Sequence, residues 1–317
     1  QYKKYTDVRL VFAPEFLAAF FGGHPDNFTF PRYVMDVAFL RAYENGKPAA
    51  TTEYLRWSRE GARNGQLVFV SGNPGSTSRL DTVAQLEYRR DTANPFYLER
   101  LQSRIRLLEE YAKQSEEHAR VAHDLLFGFE NAFKAVSGEQ AGLQDPALMS
   151  RKARQEEALK AAVARDPELR KQTGDVWDEV ARAYREWQPH SRAFNLLEGG
   201  PMGSRLFRIA RWTLRLPVEK ARPNEERLRE YRDSALDSLA LQLYSPAPIT
   251  KSLEIVLLAQ HFEEMRKYLG AEDPTVKAVL AGRTPRQAAE RYVNTSRLES
   301  VDERKRARLM LEEMGHW

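Results

Sequence analysis

Apolar residues recur at two different periods along this chain, and the change from one to the other falls near residue 80. Before that point the apolar runs are short and rich in β-branched and aromatic residues. Val8 to Ala13 is one, Met35 to Tyr43 alternates and runs apolar, and Gln66 to Val70 ends at the turn formers Ser71-Gly72-Asn73-Pro74-Gly75; such runs, bounded by punctuation, predict strands. From Asp81 onward apolar residues instead fall three and four apart between charged ones. Leu101, Ile105, Leu108 and Tyr111 make one stripe and Leu236, Leu239 and Leu243 another, the period of helices with one buried face. Helix breaks are expected at Gly138 to Gly142, Asp166-Pro167, Gly199-Gly200-Pro201, Pro217 to Pro223, Ser245 to Pro248, Asp273-Pro274 and Thr284-Pro285, which gives roughly eight to ten helices. The pattern predicts an α+β chain, predominantly α, with a β-rich region over residues 1–80 and a helical domain over 81–317. No solenoid period and no low-complexity linker interrupts it.

Charge narrows the classes of function. The 49 Lys and Arg residues exceed the 45 Asp and Glu residues by only four, with the signs interleaved, which argues against a nucleic-acid partner. The chain has no cysteine, hence neither a disulfide framework nor a thiolate metal site. No apolar run reaches the roughly eighteen residues of a membrane span, so membrane insertion is not expected. The first residues, Gln1-Tyr2-Lys3-Lys4, lead straight into a strand pattern rather than an export signal. An opening without Met inside such a pattern suggests an internal segment of a longer protein.

The densest unusual stretch is Phe20-Phe21-Gly22-Gly23-His24-Pro25-Asp26-Asn27-Phe28-Thr29-Phe30-Pro31-Arg32, followed by Asp36. Glycines, prolines and an Asp-Asn pair among aromatics suit neither strand nor helix. They read as a shaped loop, which either carries function or turns a structural corner. Asp36, inside the apolar run from Met35 to Leu40, is expected to be a buried and partnered carboxylate rather than a solvated edge charge.

This loop resembles the signature of the bacterial serine dipeptidyl-peptidase family that includes dipeptidyl-peptidases 7 and 11, where it typically reads Gly-Gly-Asp-x-Asp-Asn-Trp-x-Trp-Pro-Arg-His-x-x-Asp-Phe. Here Gly22-Gly23-His24-Pro25-Asp26-Asn27-Phe28-Thr29-Phe30-Pro31-Arg32-Tyr33-Val34-Met35-Asp36-Val37 keeps the spacing, with His24 in place of an aspartate and Phe28 in place of a tryptophan. The resemblance implies part of a chymotrypsin-like β-barrel over residues 1–80 and a helical cap over 81–317. It implies that Asp36 is the aspartate of a Ser-His-Asp triad, and that Asn27 and Phe28 hold the substrate's free N-terminus. An ammonium two residues from the cut needs oxygen acceptors and an aromatic wall. Glu130-Asn131-Ala132-Phe133-Lys134 is similar to the family's Asn-x-x-Lys element, which makes Asn131 a further amine ligand; without the resemblance it reads as a cap or surface residue. Arg222 to Pro248 resembles a helical-domain element, physically a proline-started helix of architectural role.

Two features invite other readings. Gly72-Asn73-Pro74-Gly75 looks like the loop around a serine nucleophile, but Pro74 supplies neither hydroxyl nor N–H; the family's serine is expected beyond Trp317 and its histidine before Gln1. His118 and His123 are five apart, not the four of a helical metal pair, so no metal and no cofactor are expected. Arg205, Arg208, Arg211 and Arg215 could make a basic membrane or nucleic-acid helix, but read more simply as one solvated face. The resemblance further implies peptide substrates with a free N-terminus, a periplasmic or cell-surface location and a homodimer. The alternative from another class is a non-catalytic peptide-binding or structural helical protein.

Overall fold

Asn45-Gly46 sets the local geometry of the β region. In the computed structural model, which describes residues 3–19, 27–29, 31, 34–69 and 77–313, Asn45 and Gly46 have φ of 53° and 74°. Two left-handed residues in succession form the turn whose twist suits a tight hairpin. It joins strand β2 (Phe39–Glu44) to the short β3 (Lys47–Pro48), and the Ala49 N–H still donates to the Ala42 carbonyl, so Pro48 sits at a position that needs no N–H. Strand β1 (Asp7–Phe12) pairs antiparallel with β2 from Asp7↔Tyr43 to Phe12↔Phe39, with an irregularity between Leu10 and Phe12. Helix α1 (Phe16–Ala19) follows β1.

Two strand expectations are corrected. Residues Met35 to Ala38 are irregular, and the strand begins only at Phe39; Gln66 to Phe69 is not a strand at all. A strand requires a hydrogen-bonded neighbour, and the sheet of the described residues contains only β1, β2 and β3. Val70 and the turn cluster after it lie outside the described residues.

The chain divides into two units, Gln1–Thr82 and Val83–Trp317. In the first, no apolar side chain is buried among the described residues. Leu10 and Val11 point to opposite faces of β1 yet are 64% and 54% exposed. Both faces of this sheet are apolar and uncovered, so it calls for a covering layer that the described residues do not supply.

The second unit builds its own core. Four of its helices start with a capping residue followed by proline, whose fixed φ suits the first helical position. They are α5 (Pro146–Arg165) after Asp145, α6 (Pro167–Thr173) after Asp166, α11 (Pro274–Leu280) after Asp273 and α12 (Pro285–Thr295) after Thr284. The remaining helices are α2 (Val83–Tyr88), α3 (Asn94–Ala112), α4 (Glu116–Gln144), α7 (Val176–Leu197), α8 (Arg205–Lys220), α9 (Asp233–Leu243), α10 (Lys251–Leu269) and α13 (Val301–Glu313). A π-helix, Arg89–Ala93, links α2 to α3.

Thus more helices exist than expected, chiefly because Asp-Pro and Thr-Pro pairs start short ones. The expected break at Gly138 to Gly142 is absent, because α4 runs through both glycines to Gln144. Each glycine costs a helix about 1 kcal/mol, and 29 residues of intrahelical bonding carry that cost; the break comes at Asp145-Pro146. The expected proline-started helix after Arg222 is instead two 3-10 turns, Asn224–Glu226 and Arg229–Tyr231.

Helix α10 runs through the core, burying Ile255, Leu257, Leu258, Phe262 and Met265. Phe96, Leu196, Ala289 and Val293 join Leu258 and Phe262 in one cluster, and Leu108, Tyr111 and Leu257 form another. Each such side chain contributes about 1.5–3 kcal/mol by burial.

Buried charges fix the helix ends and crossings. Glu254 of α10 accepts hydrogen bonds from the Ser204 hydroxyl and from the backbone N–H groups of Arg205 and Leu206, satisfying the orphan donors that open α8. Arg304 of α13, fully buried, donates to the carbonyls of Leu243, Ser245, Leu298 and Glu299, at the negative end of α9. At the centre, Arg100 and Arg104 of α3 flank Glu264 of α10. Arg100 Nε lies 3.1 Å from Glu264 Oε2 and Arg104 Nη2 lies 3.7 Å from Oε1.

Arg104 donates to the Leu257 carbonyl, but its Nε has no hydrogen-bond partner among the described residues. Burial, with Arg100 adding to it and Glu264 opposing, pushes its pKa down to about 10. Burial alone would raise the Glu264 carboxyl, but His261, Arg104 and Arg100 outweigh it and hold it below its usual range. Burial also lowers the pKa of His261, so its imidazole is neutral.

Three outcomes follow for stability. Arg100→Met should cost about 3–5 kcal/mol, because it strips a buried carboxylate of its best partner. Arg104→Met should be neutral or stabilising, since Arg104 is poorly compensated and Arg100 remains. Denaturant melts of the two variants check this, and equal losses would contradict it. His261 has a folded pKa below its unfolded value, so the stability it contributes is present above about pH 6.5 and is lost as pH falls from there through the folded pKa. Melts of His261→Gln against the parent from pH 7 to pH 5 should show the shallower decline in the variant.

Candidate active site

In the first unit the chain leaves α1 and returns to it. The Met35 N–H donates to the Ala18 carbonyl at 3.0 Å, closing a loop that holds Asn27 and Phe28 and delivering Asp36 just past its neck. One closed loop therefore carries two of the four residues singled out from the sequence, and a third follows it directly. Of the rest of that stretch, residues 20–26, 30, 32 and 33, including His24, lie outside the described residues.

Asn27 is buried, at 7% exposure, while Phe28 beside it is 62% exposed. Phe28 has a φ of 65°, the left-handed region, which costs a residue with a Cβ about 1–2 kcal/mol and is an outlier for a bulky side chain. The strain keeps a large ring in water next to a buried amide. Such strain concentrates at ligand-binding positions.

Asp36 differs from expectation. It is exposed, and it has no hydrogen-bond or ion-pair partner among the described residues. The physical reason is the uncovered sheet. With no layer over Phe39 and Leu40, the segment before β2 has nothing to be buried against.

In the second unit Asn131 lies near the middle of α4 and is half-buried. The capping role is thereby excluded, because α4 is capped by Ser115, whose side chain accepts from His118 N–H. Its neighbour Glu130 was not singled out from the sequence. Burial, helped by Glu109 and opposed by Lys134, pushes the Glu130 carboxyl above its usual range. Its Oε2 has no partner among the described residues. The available signal was an acidic residue inside the apolar run from Leu125 to Phe133.

The remaining candidates are accounted for locally. His118 Nδ1 lies 2.7 Å from Ser115 Oγ and its ring packs on Tyr111, and His123 packs on Phe127. Among the described residues no group of three or more His, Cys, Asp or Glu could hold a metal ion. Of the arginines of α8, Arg205 donates to the carbonyls of Ser245, Ala247 and Pro248, Arg211 to that of Glu198, and Arg215 pairs with the Glu198 carboxylate. Arg208 lies over the Trp212 ring. These are internal struts rather than a free basic face. No described helix is long and apolar enough to cross a membrane.

The family model for Peptidase S46 matches residues 1–314. The chain belongs to the Peptidase S46 family. It is 29% identical over 248 residues to an Asp/Glu-specific dipeptidyl-peptidase of Shewanella putrefaciens, a match covering 75% of this chain and 33% of that protein. It is 26% identical over 211 residues to an Asp/Glu-specific dipeptidyl-peptidase of Capnocytophaga gingivalis, covering 61% of this chain and 28% of that one. It is 35% identical over 103 residues to a dipeptidyl-peptidase 7 of Phocaeicola vulgatus, covering 29% and 14%. The chain spans about a third of the length of the curated relatives it matches.

Phe28→Gly should leave stability unchanged or raise it, since glycine occupies φ of this sign freely, whereas Phe28→Val should lower it by about 1 kcal/mol. Thermal unfolding of the two variants decides; destabilisation by the glycine would show that the ring, not the backbone, governs this turn.

Proposed function

We propose that this chain is the amine-recognising part of a serine-type dipeptidyl-peptidase, and that it contributes Asp36 to a Ser-His-Asp triad. The serine and histidine are then supplied by sequence outside Gln1–Trp317, as is the layer that covers the sheet and buries Asp36, completing a chymotrypsin-like barrel. The observation that carries this reading is the pair of buried Asn27 and strained, exposed Phe28 in a chain of the S46 family. An amide oxygen accepts from an ammonium and an aromatic face attracts it.

In the proposed reaction the serine oxygen attacks the carbonyl after the second residue of the peptide, with the histidine taking its proton. Asp36 accepts the other imidazole N–H, fixes the ring's tautomer and stabilises the imidazolium. The histidine gives the serine's proton to the leaving amine as the acyl-enzyme forms, then takes a proton from the water that releases the dipeptide and returns it to the serine oxygen. Asn27, Phe28 and Asn131 hold the free N-terminus, which sets the cut two residues in. Glu130 supports the assignment of Asn131, because a half-buried carboxylate beside it, with one oxygen lacking a hydrogen bond among the described residues, lowers the cost of bringing a cation there. Work outside the cytoplasmic membrane, as a homodimer, completes the reading.

A second reading, peptide binding without catalysis, is favoured by the exposed and unpartnered Asp36. One experiment separates the two. In the full-length protein Asp36→Asn should lower kcat by about four orders of magnitude while leaving the fold intact; near-normal turnover would remove Asp36 from the triad. Asn27→Ala and Asn131→Ala should each raise KM for free peptides about tenfold or more, with little change for N-acetylated ones. If both variants still separate free from blocked peptides as the parent does, the amine pocket lies elsewhere.

A further inference from the structure

A cleft of about 260 Å³ opens in the helical unit between α7 and the stretch where α2 passes into the π-helix Arg89–Ala93. A π-helix is rare and is found frequently at functional sites. The floor of the cleft is half-buried and aromatic. The Tyr88 and Tyr184 rings lie 5.0 Å apart. Their hydroxyls are engaged, Tyr88 accepting from Trp187 Nε1 at 3.0 Å and Tyr184 from Gln85 Nε2 at 3.4 Å. The rings are therefore held in place at the cleft.

The rim is charged. Glu87 and Asp91 come from one wall and Arg185 from the other. Asp91 is already clamped by both arms of Arg90, at 2.7 and 2.8 Å, and Gln188 bonds Thr92 at 2.9 Å. That leaves Glu87 and Arg185, both exposed, as the two rim charges with no hydrogen bond or ion pair among the described residues. Unpaired surface charges are ordinary. Two of opposite sign that line one cleft from opposite walls, over an apolar floor, without pairing to each other, suit a guest that carries both signs.

We propose that this cleft binds a small zwitterion, a free dipeptide or amino acid, with Glu87 taking its ammonium, Arg185 its carboxylate and the Tyr88–Tyr184 floor its apolar side chain. The site shares no residue with the pair Asn27 and Phe28 or with Asn131, and the argument for it does not depend on catalysis by this chain. It discriminates against longer peptides, in which one end or the other is no longer free within reach. Charge-assisted bonds made at an exposed rim are screened by water, so the affinity is on the order of millimolar.

Titration calorimetry on the chain Gln1–Trp317 tests this with L-alanyl-L-phenylalanine, its N-acetyl derivative, its C-terminal amide and L-phenylalanine. Saturable binding of the free dipeptide is expected, about tenfold weaker when either end is blocked. Glu87→Gln should erase the difference between the free and N-acetylated dipeptide, and Arg185→Gln that between the free dipeptide and its amide. Both residues are exposed, so circular dichroism should show unchanged helix content in the variants. Tighter binding of the dipeptide than of phenylalanine assigns the site to dipeptides, and the reverse to amino acids. The proposal is overturned by absence of saturable binding, or by binding that both variants leave unchanged. It is equally overturned if binding is lost in Asn131→Ala but kept in Glu87→Gln and Arg185→Gln, which would place the ligand at the other site.

Discussion

The helical unit depends on one buried carboxylate. Glu264 sits in the core of α10 with two guanidiniums from α3 against it, and Arg100 carries the connection further, donating to the carbonyls of Asn195 and Gly200 at the end of α7. Three helices far apart in sequence thus meet at one buried charge, which specifies their crossing more sharply than apolar contact alone. The cost is an arginine, Arg104, whose donors are only partly used. A core of this kind is held in register at the expense of some stability.

The first unit obeys a different constraint. Its sheet has apolar residues on both faces and no buried apolar side chain among the described residues, so it cannot be stabilised by the burial that sustains the helices. What it does fix is local. The Met35 to Ala18 hydrogen bond and the Asn45-Gly46 turn hold the segments on either side of Asp36. Among the described residues Asp36 therefore lies between two locally fixed segments without low-dielectric surroundings.

Much of the helical architecture was legible because its signals are local. Stripes such as Leu101, Leu108 and Tyr111 report a buried face directly, and Asp166-Pro167, Asp273-Pro274 and Thr284-Pro285 mark helix starts by capping chemistry. The misses have physical reasons. Gly138 and Gly142 look like breaks, but glycine weakens a long helix without ending it. Gln66 to Phe69 has strand composition, yet strand formation depends on a neighbour that composition does not reveal. The loop with Asn27 and Phe28 stood out by its residues alone, whereas the burial expected for Asp36 depended on covering strands. Arg100, Arg104 and Glu264 could not be paired in advance, since 164 positions separate Arg100 from Glu264.

The most direct measurement is mass spectrometry of the products that the full-length protein releases from an unblocked decapeptide and from its N-acetylated twin. Successive dipeptides from the free peptide, and none from the acetylated one, are the expected result. Cleavage of both alike, or of neither, would contradict the assignment of this chain to amine-directed dipeptide release.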